Sequence, residues 1–192
     1  MRCVPVDQCR LWLAASNLTL DSQLMLEQHH EALAQRPLFV VTDRFEKSLP
    51  ELCRQCLDWL PAGRERMLLT SGWSPYPPDH LQIFEMIRTG CGFPQSLGAT
   101  PGHLFLSTKQ AGTHYEDRPA IDVSEESIAM WLMGLMQEWT WEGYAFVQGC
   151  RDVIVLGDGY LRFLSIDFAR LDEAEALVGE WGLKARATFP WA

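Results

Sequence analysis

The sequence predicts an α/β fold with α+β character toward its C-terminus, and two observations carry that expectation. Between residues 37 and 107 three short apolar runs, Leu38–Thr42, Met67–Thr70 and His103–Leu106, alternate with helical patterns. Such alternation is typical of crossover units and at least partly parallel pairing. From residue 144 onward three more strand-like runs are joined by short turns, which reads as an antiparallel meander. The expected architecture is a central mixed β-sheet with N-terminal strand-helix-strand-helix-strand units, a long apolar helix, and a C-terminal antiparallel meander plus helix. At 192 residues this fits a single domain, 1–192, in three parts. These are N-terminal helices over 1–36, a parallel-type α/β part over 37–115, and an acidic antiparallel part over 116–192.

In chain order, Val6 to Ala15 reads as a short helix and Asn17 to Asp21 as a break. Asp21 is placed to cap a second helix running to about Gln35, where Pro37 ends it. After the first strand Ser48 caps a helix with Pro50 in its first turn, where the missing N–H costs little. Leu49, Leu52, Cys53, Cys56, Leu57 and Leu60 form its apolar stripe, and Pro61-Ala-Gly63 stops it. The second strand runs into an aromatic, proline-rich loop, Ser71 to Pro78. A helix follows over 79–89 with Leu81, Phe84 and Ile87 apolar, and a Gly/Pro-punctuated connection, 91–102, leads to the third strand.

Residues 108–121 are polar loop. Asp122-Val-Ser-Glu125 resembles a capping box opening the longest helix, to Trp139, with Ile128, Leu132, Leu135 and Trp139 on one face. Its Met130, Trp131, Met133 and Met136 spread apolar character around the cylinder, so it is either buried on several sides or presents a sticky face. Strands over 144–147, 152–156 and 160–166 follow, the last two joined through Gly157-Asp158-Gly159, whose glycines supply positive φ. A helix over 172–181 and an end strand over 184–188 complete the chain.

The net charge is −9 and unevenly placed: residues 116–192 hold 14 acids and 6 bases, against 11 and 10 before them. An acidic half repels nucleic acid and attracts basic partners. No run approaches the roughly 18–20 apolar residues of a membrane span. The N-terminus lacks a signal-peptide apolar core. The expectation is a cytoplasmic protein with no membrane or nucleic-acid partner, in which Cys3, Cys9, Cys53, Cys56, Cys91 and Cys150 stay reduced.

Few motifs carry chemistry. Cys53-Arg-Gln-Cys56 has redox or zinc-half-site spacing but lies on an apolar helix stripe, so core packing is expected. Glu27-Gln-His-His30 sets Glu27, His30 and Glu31 on adjoining helix positions, yet the Glu-x-x-His motif occurs once where di-iron bundles need two. Thr70-Ser-Gly-Trp73 lacks the Gly-x-Ser-x-Gly elbow, and no phosphate-binding glycine loop is present. No catalytic residue, metal ligand or cofactor is assigned.

Two surfaces remain. Glu138-Trp-Thr-Trp-Glu142, with Asp152, Asp158, Glu125 and Glu126, sets Trp139 and Trp141 among carboxylates, the chemistry of a high-affinity protein interface. The favoured function is a non-enzymatic cytoplasmic binding protein that captures a basic protein partner there, in the manner of a toxin-immunity inhibitor. The alternative is a small-molecule enzyme or sensor using a crevice at the C-terminal strand ends, with Asp43, Arg44, Ser71, Trp73, Tyr76 and Ser107. A further alternative is a homo-oligomeric subunit that buries the Met/Trp helix against its copy.

Overall fold

The structure, a computed structural model, describes residues 1–27, 36–42, 49–71, 79–94, 96–106, 125–139, 142–157 and 159–187. It is a mixed α/β fold built on one eight-stranded sheet. The strands are β1 (Arg2–Val4), β2 (Leu38–Val41), β3 (Glu65–Thr70), β4 (Gly102–Leu106), β5 (Gly143–Val147), β6 (Val153–Gly157), β7 (Tyr160–Leu164) and β8 (Ala185–Arg186). The helices among the described residues are α1 (Val6–Ala14), α2 (Leu49–Trp59), α3 (Asp79–Gly90), α4 (Glu125–Trp139) and α5 (Phe168–Glu180).

Strand order is β1-β4-β3-β5-β6-β7-β2-β8, and every neighbouring pair is antiparallel. This corrects the parallel pairing expected over 37–115. The crossover reading of β2-α2-β3 has a real basis, because both strands run toward the same end of the sheet, here called the upper end. They are not neighbours, since the meander β5-β6-β7 is inserted between them. Its hairpins close through short local turns, and Gly159 at φ 71° serves the one that pairs Gly157 with Tyr160.

The β3-α3-β4 unit departs for a different reason. The connection 91–101 doubles back along α3, with the Leu97 amide donating to Glu85 Oε1 at 2.9 Å. The chain therefore re-enters the sheet at the end it left, and β4 runs opposite to β3, with Leu69 opposite Gly102. Twelve helical residues rise about 18 Å, a length that an eleven-residue extended connection easily retraces.

The sheet is covered on both faces. Against one face α2, α3, α4 and α5 bury a large core that includes Leu57, Phe84, Leu132, Met136, Ile154, Phe163 and Val178. Against the other α1 and the segment that follows it cover Met67, Leu69, Phe146, Val153 and Val155. The contact is close: a Cβ at Gly102 would lie under 3.0 Å from Cys9 Sγ and Val4 Cγ2, so glycine is what lets α1 seat. Cys53 and Cys56 belong to the core as expected, and burial pushes the Cys53 thiol up to about 12 and Cys56 well above its usual value.

Several local expectations shift. The stripe of α4 is Ala129, Leu132, Met133 and Met136, while Ile128 and Leu135 are half-buried and Trp131 is 41% exposed. The helix is thus a core helix on which Trp131 is exposed. On α3 the buried positions are Phe84 and Arg88, and Leu81 is exposed. Asp21 accepts from the amides of Gln23 and Met25, but the result is a turn with an isolated Leu20–Leu26 bridge rather than a helix start. The same carboxylate-to-amide bond serves either structure. Glu27 lies in this turn region, bonded to Thr19 Oγ1, and His29, His30 and Glu31 lie outside the described residues.

One buried pair is conspicuous. Arg88 and His103 are both fully buried, and no carboxylate reaches the guanidinium among the described residues. Arg88 donates instead to the Thr100 carbonyl and hydroxyl and to Cys3 Sγ. Burial first and the Arg88 charge second push the His103 imidazole down to about 3, which the Leu68 backbone offsets only in part. His103 is accordingly neutral, edge-on to Phe93 at 5.9 Å.

Candidate functional site

The residues proposed as one acidic interface do not converge. Glu125 opens α4 at the lower end of the sheet, where it pairs with the Met1 amine and accepts from the Leu106 amide. Glu126 is beside it, whereas Glu138 and Trp139 close the same helix, about 20 Å away along its axis. Glu142 stands at the upper end. Asp152 is at the lower end and buried, so it cannot face a partner. Trp141 and Asp158 lie outside the described residues.

Glu142 is occupied internally. The antiparallel register sets Tyr144, Val155, Arg162 and Phe39 side by side across four strands, with Tyr160 one row above. The Tyr144 hydroxyl donates to Glu142 Oε2 at 2.5 Å and accepts from the Leu26 amide at 3.1 Å, which pins the turn after α1 to the sheet. Arg162 sits 3.9 Å from the Glu142 carboxylate and over the Phe39 ring. Burial, reinforced by the Glu142 charge, pushes Tyr144 well up and Tyr160 to about 12. This cluster holds layers together.

Of the strand-end residues only Ser71 is described. Its hydroxyl donates to the Glu142 carbonyl at 2.8 Å, beside a small cavity of about 210 Å³ lined by Thr70, Leu81, Leu97 and Pro101. Asp43, Arg44, Trp73, Tyr76 and Ser107 lie outside the described residues. The described strands themselves do not end together: β4 ends at the lower end of the sheet, while β2 and β3 end at the upper.

A larger concavity among the described residues is at the lower end, which sequence reasoning did not single out. A cleft of about 490 Å³ is walled by four chain segments. The end of α1 brings Ser16 and Asn17, and the approach to β3 brings Pro61 and Arg64. The β5–β6 turn brings Gly149, Cys150, Arg151 and Asp152, and the passage from β7 into α5 brings Ser165, Ile166, Asp167 and Arg170.

Asp152 is its internal anchor, accepting from Ser165 Oγ at 2.6 Å and Arg170 Nε at 3.1 Å. Arg170 is saturated: it also reaches Glu173 and the Trp59 carbonyl and lies over the Trp59 ring. Asp167 caps α5 through the Ala169 amide at 2.9 Å. Arg64 and Arg151 are held far more loosely. Arg64 faces the Gln148 and Gly149 carbonyls at 3.4 and 3.3 Å, and Arg151 the Ser16 carbonyl at 3.4 Å, all beyond good N–H···O distance. Burial raises the Cys150 thiol, which keeps it protonated near neutral pH. The chemistry on offer is recognition of charge and hydroxyls. The four segments are far apart in sequence, and only Cys150-Arg-Asp152 between two strands signalled the place.

The outer face of α5 adjoins this cleft. Leu171, Ala174 and Val178 are its inward row, which turns Phe168, Asp172 and Glu175 outward in one line and Glu173 and Glu180 in the next. Ile166 and Phe168 are 48% and 51% exposed beside these acids. Among the described residues no group of His, Cys, Asp and Glu could hold a metal ion, and no helix is long and apolar enough to cross a membrane. Comparison with protein-family models, curated proteins and solved structures found no match.

Proposed function

We propose that the protein is a non-enzymatic binding protein that captures a basic protein partner on the outer face of α5. The observation that carries this reading is the placement of two exposed apolar side chains, Ile166 and Phe168, beside the carboxylates of Asp172 and Glu175, which lie on the Phe168 line of the helix. Apolar anchors supply affinity, and surrounding acids speed encounter with a cationic partner. Arg36 now bridges Asp172 and Glu175 at 2.7 and 3.1 Å, but exposed pairs of this kind are worth about 0–1 kcal/mol and yield readily to a partner's cations.

In its finer form the reading is an immunity-type inhibitor acting in the cytoplasm, a reducing compartment in which six free cysteines would stay reduced. The test is capture from native lysate with tagged wild type beside a Phe168→Ala/Asp172→Asn/Glu175→Gln variant, at low and high salt. A stoichiometric basic partner, lost in the variant and weakened by salt, is the expected result. A partner retained by the variant refutes the α5 surface, and capture of none refutes the partner.

A further inference from the structure

We propose that the lower-end cleft is a binding site for a small phosphate monoester, with the phosphoryl group held between Arg64 and Arg151. The argument starts from charge. Of the two carboxylates lining the cleft, Asp152 is spent on Arg170 and Ser165, while Asp167 turns Oδ1 to the Ala169 amide of α5 and keeps its charge. The two guanidiniums left over have no carboxylate partner among the described residues. With Asp152 spent on Arg170, Arg64 and Arg151 outnumber the one remaining carboxylate, Asp167, so the cleft wall is left net positive and suits an anion from outside.

Geometry and valence narrow the class. The cations come from different segments, the approach to β3 and the β5–β6 turn, so each presents its own donor fork. Two positive charges match the nearly dianionic charge of a phosphate monoester near neutral pH better than a single carboxylate. The long carbonyl contacts of Arg64 and Arg151 are easily given up for charge-assisted bonds. At about 490 Å³ the cleft exceeds what the phosphoryl group needs and lies in the range of small-molecule sites. Asn17 and Ser16 offer polar contacts to a hydroxylated body, and Ile166 supplies an apolar wall.

The experiment is titration calorimetry of the full chain with glycerol 3-phosphate, inorganic phosphate and acetate at matched ionic strength. Saturable one-to-one binding of both phosphates is expected, with acetate at least tenfold weaker. Arg64→Gln and Arg151→Gln should each weaken phosphate binding by about tenfold or more. Arg54→Gln, on the exposed side of α2, should leave it unchanged, and all three should keep the wild-type melting temperature within a few degrees. Absence of saturable binding, or binding indifferent to both cleft arginines, overturns the site. Acetate binding as well as phosphate overturns the ligand class. The α5 variant above replaces no side chain that lines the cleft or bonds Arg170, so the two proposals fail separately.

Discussion

Acid should unfold this protein partly through one imidazole, and replacing His103 should remove that component. The folded-state value of about 3 stands against an ordinary 6.5, so the unfolded chain takes up the proton first as pH falls. Stability from the neutral, buried imidazole is complete above 6.5 and drains away as pH drops from 6.5 toward 3. Each unit is worth about 1.4 kcal/mol, which makes the full loss on the order of 5 kcal/mol and the loss by about pH 5 roughly 2 kcal/mol. The groups that face His103 are Phe93 and the Arg88 guanidinium from the α3 side, and the Leu68 backbone from β3. None offers a counter-charge. In His103→Leu the ring nitrogens, which meet the Leu68 backbone but make no well-formed hydrogen bond, are simply gone. The variant should therefore lie within about 1.5 kcal/mol of wild type near pH 7. Urea unfolding followed by tryptophan fluorescence at several pH values gives both curves, and carboxylates common to both cancel in the difference. The gap should move by about 2 kcal/mol in favour of His103→Leu between about pH 7 and about pH 5. Parallel curves over that interval would refute the buried, unpartnered imidazole.

Two further outcomes test the packing around the sheet ends. Gly157→Ala would drive a methyl into the Tyr160 ring, under 3.0 Å away, and should cost about 1–3 kcal/mol in urea unfolding. The same substitution in a Tyr160→Ala background should cost clearly less, and equal costs would show that the ring is not the obstacle. Asp152→Ala strands Ser165 and one arm of Arg170 in the cleft wall and should cost about 2–4 kcal/mol, with Asp152→Asn intermediate. A loss below about 0.5 kcal/mol would mean that Asp152 does not anchor the cleft.

Much of the fold was legible because it depends on local physics. The apolar runs of β2 to β7 fall where period and turn residues place them, and the stripe Leu52, Cys53, Cys56, Leu57 and Leu60 on α2 is the buried stripe. The Gly157–Gly159 hairpin follows from glycine's access to positive φ. What failed were inferences of adjacency. A helix between two strands was read as a parallel crossover, but the return of 91–101 along α3 reverses β4, and no local signal announces that path. The buried arginine of α3 was missed because a charged residue on a helix normally faces water, and only Thr100 and Cys3, brought from two other segments, make its burial tolerable.

The candidate sites divide along the same line. Residue types, helix faces and the −9 charge are properties of the chain read in order, so the acidic character of the C-terminal part could be read directly. Which charges remain unpaired could not. Asp152 counts as a surface acid until Arg170 and Ser165 fold over it, and Arg64 and Arg151 count as ordinary surface bases until the sheet's lower end sets both beside one cleft. Sequence by itself determined the elements and the total charge, because both depend on near neighbours and composition. Only the tertiary structure decided strand direction, the partner of each charge and the position of the cleft, because those depend on segments that meet from far apart in the chain.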